Sequence, residues 1–343
     1  MKIVALSTDV SRYGLLTYFE RGLRQLGHDV REISLFGSGW PLEALRGLPL
    51  AFRVAGRLKG AVTRFSAGAL SARLVSAILE IRPDFVLITK GLGIPLQVFE
   101  RLRDAAIPVI NYHTDPIPHE DLEYLAIARL CAAVATYARE QIPGWYWYGV
   151  PRVAYIPFGA DSEIHRPRTP PAERRAYFSS PIAYLATWQP YADFWPSKVV
   201  PFGLKIWGNQ WHRLPSRSPL RACWQGERKG IENDFSLVCS AAQIIFNMVR
   251  ARNGQSHSMK TFEIPACGGF MLANRTDEQV SFFPEDEAAV YFSTEDELLD
   301  KIRFYLSREA ERSRIAKRGL EIAAKHTYLD RAQKLVELAA SVG

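Results

Sequence analysis

The stretch NGQSHSMKTFEIPACGGFML, residues 253–272, places a lone carboxylate, Glu263, inside an otherwise apolar segment. Lys260 precedes it by three residues, and a polar, small-residue loop from Asn253 to Ser258 precedes both. An ionised carboxylate accepts hydrogen bonds on both oxygens. Backbone N–H groups at a helix start, at the positive end of its dipole, attract an anion. In the bland alternative, Glu263 caps or pairs within the fold. Pro265 removes the backbone bond to Thr261, so the helix is expected to start late or to kink there.

Other candidates stand at the ends of short apolar runs. His113 and Asp115 sit where PVINYHTDP leaves its strand, Thr187 ends PIAYLAT, and Gly208 with Asn209 follows LKIW. Such a histidine can act on a ligand or serve as a structural hydrogen-bonder. Asp115 can act as a base or simply turn its loop. Common catalytic motifs are missing: there is no G-x-x-x-x-G-K-[ST] and no G-x-S-x-G. GLGIP lacks the third glycine of a dinucleotide fingerprint, and the turn STDVSRYG offers only Gly14. No D-x-D occurs, which removes a common metal–diphosphate signature and makes metal-independent chemistry the expectation.

These positions need a scaffold of strands. KIVALST, DVREISLF, DFVLITK, PVINYH, AAVATYA and RVAYIPFGAD read as strands of the first half, separated by helical stretches that include 43–81. PIAYLAT, GLKIWGN, AQIIFNM, GFMLAN and AAVYFS repeat the scheme, followed by amphipathic DELLDKIRFYLS and REAERSRIAKRGLEIAAKH and a last helix near 329–341. Strands alternating with helices imply two parallel, doubly wound sheets, which bind ligands at the carboxyl ends of their strands. The proline-rich IPFGADSEIHRPRTPPAERR places a hinge near 160–175. The expected domains are 1–165 and 166–326, with 327–343 a C-terminal helix packing back on the first.

At 343 residues, with 48% hydrophobic and 23% charged residues, the chain is globular in composition. Its four cysteines, Cys131, Cys223, Cys239 and Cys267, form no CxxC pair, which suits a reducing compartment and argues against structural zinc. No signal peptide is visible, and no segment approaches the roughly 20 apolar residues needed to cross a bilayer. A cytoplasmic location is expected. The net charge of +7 comes with no nucleic-acid motif, which argues against DNA or RNA and leaves anionic small molecules and membrane surfaces open as partners.

HSMKTFEIPACGGFMLANRTDEQVSFF, YFSTEDELLDKIRFYLS and the terminal HTYLDRA closely resemble the CgeB-like (spore maturation protein) branch of GT-B glycosyltransferases. LATWQPYADFW, KIWGNQW, VINYHTDP and YIPFGAD resemble earlier segments of such enzymes. The resemblance implies a GT-B fold of two Rossmann-like domains facing a central cleft. It also implies metal-independent, retaining transfer of a sugar, hexosyl in type, from a nucleotide-diphosphate sugar. The donor would be a UDP-sugar and the acceptor a glycan, a lipid-linked glycan or a protein. No resident cofactor is implied.

Residue by residue, Glu263 matches the second Glu of E-x7-E, which holds the ribose hydroxyls, and Gln255 replaces the first. Ser258 and Met259 match residues whose N–H groups face the phosphates, and Lys260 a basic position. Lys229 in GERKGIE would be a second cation, Gly226 and Gly14 further donor-binding positions, and His113 would reach the donor sugar or the acceptor. Two rivals stand beside this: a non-catalytic nucleotide- or sugar-binding protein, to which Gln255 lends weight, and a nucleotide-sugar epimerase.

One pattern is independent of the family. From Ala44 to Leu79 there is no acidic residue, while Arg46, Arg53, Arg57, Lys59, Arg64 and Arg73 supply six basic ones. Leu50, Val54, Leu58, Val62 and Phe65 share a helical face. This suits a helix lying in an anionic membrane surface, or a core-packed helix with a basic edge.

Overall fold

The computed structural model describes residues 1–7, 14–34, 71–117, 121–190, 193–226 and 234–342. Lys229 and most of the acid-free segment, including Arg46, Arg53, Arg57, Lys59 and Arg64, lie outside them.

Two compact units share the chain: Met1–Pro157 with Leu329–Gly343, and Phe158–Tyr328. The first carries β1 (Lys2–Ser7), α1 (Leu15–Gln25), β2 (Asp29–Ser34), a helix over 71–81 (α2), β3 (Phe85–Thr89) and α3 (Leu96–Asp104). β4 (Val109–His113), α4 (Leu122–Leu130), β5 (Ala133–Thr136), α5 (Ile142–Trp147) and β6 (Val153–Tyr155) follow. Its sheet runs β2-β1-β3-β4-β5-β6, with every pairing parallel. Parallel strands are covered on both faces, so they read as continuous apolar runs rather than alternating ones. Ile3, Val4 and Ala5, side by side on β1, are each fully buried. Leu74, Val75 and Ile78 of α2 share a core with Phe99 of α3 and Ile127 of α4, so these helices cover one face of the sheet.

The second unit carries α6 (Arg175–Phe178), β7 (Ile182–Leu185), α7 (Phe194–Val199), β8 (Leu204–Trp207), α8 (Leu220–Cys223), α9 (Phe235–Ala241) and β9 (Ile244–Asn247). α10 (Lys260–Ala266), β10 (Met271–Asn274), α11 (Asp277–Phe282), β11 (Val290–Phe292), α12 (Glu295–Leu306) and α13 (Glu309–Ala323) complete it. Its sheet, also parallel throughout, runs β11-β10-β9-β7-β8. α14 (Tyr328–Ala340) belongs to the first unit from Leu329 on, and Arg331 Nε donates to the Pro157 carbonyl at 3.1 Å.

The division at Pro157 falls at the start of the proline-rich stretch, ahead of the hinge expected near 160–175, because 158–167 is already tied into the second unit. The Asp161 carboxylate accepts from Glu163 and Ile164 N–H, and the Ser236 hydroxyl donates to the Ile164 carbonyl.

Candidate functional site

In the second sheet the chain leaves β7 for β8 on one side and returns to β9 on the other. The strand order therefore reverses between β7 and β9, and ligands of such sheets bind outside the carboxyl ends at that point. Thr187 and Trp188 follow β7, Gly208 and Asn209 follow β8, and residues 248–260 follow β9.

The first two turns interlock. Trp188 N–H donates to the Asn209 carbonyl at 2.9 Å. Trp224 Nε1 is shared by the carbonyls of Gly208 (3.0 Å) and Gly226 (2.7 Å). Gly208, at φ +153°, lies so close to β7 that a Cβ there would stand 1.8 Å from the Ala186 carbonyl oxygen. Thr187, Gly208, Asn209 and Gly226 are thus gathered at one edge of the sheet. With its amide oriented to suit both partners, Gln189 accepts from the Arg250 guanidinium at 3.1 and 3.2 Å, which joins this edge to the end of β9.

Side chains from the end of β10 hold the loop after β9. Asn274 exchanges two hydrogen bonds with the Val249 backbone, and Thr276 Oγ1 donates to the Ser256 carbonyl at 2.6 Å. Gln255 Oε1 accepts from Asp277 N–H at 3.2 Å, at the start of α11. Buried His257 accepts at Nε2 from Phe158 N–H, so its proton sits on Nδ1 and is donated to Glu278 Oε2 at 2.6 Å.

α10 then begins at Lys260. The Ser258 amide donates to Thr261 Oγ1 at 3.2 Å and is not open toward a ligand. The expectation that this N–H faces a phosphate is therefore replaced by a local turn, and what remains unmet on Ser258 is its hydroxyl, buried with no partner. Three more buried polar atoms at these strand ends are unpaired, Trp188 Nε1, Trp207 Nε1 and Asn247 Oδ1.

α10 neither starts late nor is cut short at Pro265; it runs through the proline and stops one residue later. Its end explains the glycine pair. Gly269 N–H donates to the Ile264 carbonyl and Gly268 N–H to that of Pro265, with Gly268 at φ +73°, the geometry of a Schellman cap. Glu263 is almost fully buried, with His165 Nε2 at 3.6 Å.

In the first unit the order reverses between β1 and β3. Gly14 caps α1. Lys90, just after β3, adopts φ +64° and pairs with the Asp115 carboxylate, while its carbonyl accepts from Asn111 Nδ2 at 3.1 Å. His113 is almost fully buried, set edge-on against Tyr124 (4.8 Å) and Trp145 (4.6 Å). Neither ring nitrogen meets a partner at hydrogen-bond geometry. Burial drives its pKa down to about 3, against the opposing pull of the Asp115 backbone and carboxylate. His113 is therefore neutral at physiological pH.

Lys90, His165, His257 and Arg250 carry roles that the sequence reading did not assign. Two of these had a local signal: Lys90 directly follows β3 and Arg250 lies three residues beyond β9, both strands at a switch point. A cavity of about 420 Å³ lined by Pro167, Arg168, Arg175, Ser179 and Ser240 lies at the amino ends of β7 and β9, away from the switch point. Among the described residues, no group of three or more His, Cys, Asp or Glu is placed to hold a metal, and no helix is long and apolar enough to cross a membrane.

No protein of curated function matches the chain. Residues 194–337 match the model of a family described as glycosyl transferase-like. Among solved structures, HepE of Anabaena in complex with UDP and glucose superposes with a TM-score of 0.67 at 13% identity, over 99% of this chain and 100% of that one. A glycosyltransferase from Rickettsia africae gives 0.66 at 11%, over 99% and 98%. Sucrose-phosphate synthase from Thermosynechococcus elongatus gives 0.62 at 14%, over 99% and 98%. The chain has the GT-B glycosyltransferase fold. Each of its two sheets has one switch point, the β1/β3 edge in the first unit and the β7/β9 edge in the second.

Proposed function

We propose that the protein is a glycosyltransferase that takes a nucleotide-diphosphate sugar, with the nucleotide held at the β7/β9 edge of the second unit. The observation that carries this is the set of unmet polar groups at the ends of β7, β8 and β9 and in the loop that leads into α10, Trp188 Nε1, Trp207 Nε1, Asn247 Oδ1 and Ser258 Oγ, with Lys260 and Glu263 following on α10. A buried unpaired polar atom costs about 1–3 kcal/mol, and such groups in native proteins are met by ligand or water. The fold shared with HepE, whose structure holds UDP and glucose, supports a UDP-sugar as donor.

Transfer breaks the anomeric C–O bond and leaves the nucleoside diphosphate, whose developing charge needs fixed donors aimed at it. Lys260 and the Ser258 hydroxyl would supply these, with Met259 N–H beside them and Glu263 accepting from the ribose hydroxyls. The chemistry is read as metal-independent and retaining, with a hexosyl donor and a glycan, lipid-linked glycan or protein acceptor. The setting is read as cytoplasmic, with peripheral contact between anionic membrane and residues 46–73. His113, neutral and enclosed, fits a supporting role at its strand end better than proton transfer.

Calorimetric titration with UDP, GDP and ADP in excess EDTA tests the donor site, followed by release of free sugar from the matching nucleotide sugar. A ligand at about 100 times its Kd should add about 2.7 kcal/mol of stability. Failure of all three to bind would end the donor-site assignment. A non-catalytic binding protein is the second reading, favoured by Gln255, whose side chain caps α11 in place of a site carboxylate. Binding without sugar release or transfer would select it.

A further inference from the structure

Among the described residues, the two most exposed large apolar side chains are Trp147, 86% exposed, and Leu122, 78% exposed. Both belong to the first unit, on α5 and α4. The same helices bury Trp145, Tyr124, Leu125 and Ala128 together, so the exposure does not come from loose packing. Trp147 ends α5 beside Tyr146, 51% exposed, and the chain then turns at Gly149, φ +79°. Arg129 Nε donates to the Tyr148 carbonyl, which sets its guanidinium against this turn. Exposed Arg152 follows, bonded to Ser341 Oγ at 3.0 Å. Between Glu140 and Asp161 the sequence has no acidic residue.

Tyrosine and tryptophan concentrate at membrane–water interfaces because one end of the ring is apolar and the other is wet. Arginines beside them attract anionic headgroups. We propose that the Tyr146–Trp147 turn, with Arg129 and Arg152, is a docking surface that inserts into the headgroup region of an anionic bilayer. A protein partner would also cover aromatic surface. However, this pair protrudes at a helix end between exposed Pro143 and Pro151, flanked by arginines and by no carboxylate of its own stretch. The acid-free 44–79 segment enters α2, in the same helix layer as α4. The surface stands on exposure and charge, independently of the donor site, and it is distinct from the contact read for 46–73.

Co-sedimentation of the full chain with vesicles of phosphatidylcholine, alone or mixed with phosphatidylglycerol, tests it. The wild type is compared with Tyr146→Ser/Trp147→Ser and with Arg53→Gln/Arg57→Gln/Arg64→Gln. The aromatic double variant should keep its melting temperature, since both side chains face solvent, and lose about tenfold in partitioning to the mixed vesicles. A Trp147→Cys variant carrying an environment-sensitive dye should report a drier setting on those vesicles only. Unchanged partitioning of the double variant, or loss in the arginine variant alone, would overturn the assignment. So would a wild-type dimer in sedimentation velocity that the double variant dissolves without lipid, since a second copy would then cover the turn.

Discussion

His165 Nδ1 accepts from Asp161 N–H at 3.0 Å, which puts the ring proton on Nε2, facing Glu263 Oε1 at 3.6 Å. A carboxylate proposed to meet a ribose is therefore also oriented by a neutral histidine from the start of its own unit. The two roles are compatible because a carboxylate has acceptor capacity on both oxygens.

Replacing Glu263 should separate them. Glu263→Ala is expected to weaken nucleoside-diphosphate binding by about 1.5–3 kcal/mol, the range for hydrogen bonds to a charged group. It should also lower the melting temperature by freeing His165. Full affinity in a folded variant, read by calorimetry, would remove Glu263 from the ribose.

Lys260→Gln should act on turnover more than on binding of the nucleoside alone. Losing one preorganised donor to a developing charge typically costs about 10²–10³ in kcat. Steady-state kinetics with the matched donor would show it, and a kcat near wild type would assign the leaving-group charge elsewhere.

His113 makes stability fall in acid. Its pKa is lowered from 6.5 to about 3 in the fold, chiefly by burial, so the unfolded chain takes up a proton first as pH drops. The contribution is complete above the unfolded value and is lost as pH falls through the folded one. The His113 imidazole signals in NMR should not shift between pH 5 and 8; titration near 6.5 would contradict its enclosure.

Glu20 works in the opposite direction. Burial on α1, then Glu32, raise its pKa from 4.5 to about 7 against the pull of Arg24 and Arg21. The folded chain keeps the proton to higher pH, so this contribution is full below 4.5 and is lost as pH rises toward 7. Glu20→Gln should gain on wild type between pH 5 and pH 8 in urea unfolding. A stability difference that does not change with pH would refute the raised value.

Gly208→Ala should be among the most damaging small substitutions. A Cβ 1.8 Å from the Ala186 carbonyl oxygen forces the β7 and β8 turns apart. The expected cost is about 3 kcal/mol or more, read as poor soluble yield or a sharply lower melting temperature. A variant that melts with wild type would mean the two turns are not held together as described.

The strands were legible because buried parallel strands carry unbroken apolar runs, as in KIVALS and AQIIFN. The Lys260–Glu263 pair stood out for the converse reason, charge within such a run. What was hidden depends on partners far along the chain or on turns closed by side chains. His165 gives no local sign that it meets Glu263, and Thr261 takes the Ser258 amide through an Oγ1 itself bonded to Gln279. Lys90 looks like an ordinary lysine, although the turn after β3 holds it left-handed against Asp115. Pro265 did not delay the helix for a simpler reason: a proline near the end of a seven-residue helix removes one bond and leaves almost no helix beyond it to break.

The helix α14 has a consequence for biosynthesis. Its buried Ala332 and Leu335 and the Arg331 bond to Pro157 belong to the unit whose strands leave the ribosome first. Domains commonly fold in the order they emerge. Here the first unit lacks its last helix until the uninterrupted span 158–328 has been made, and that span is complete before it. Nascent chains stalled before residue 329 should therefore present a protease-resistant second half and a sensitive first half, the reverse of the usual vectorial order.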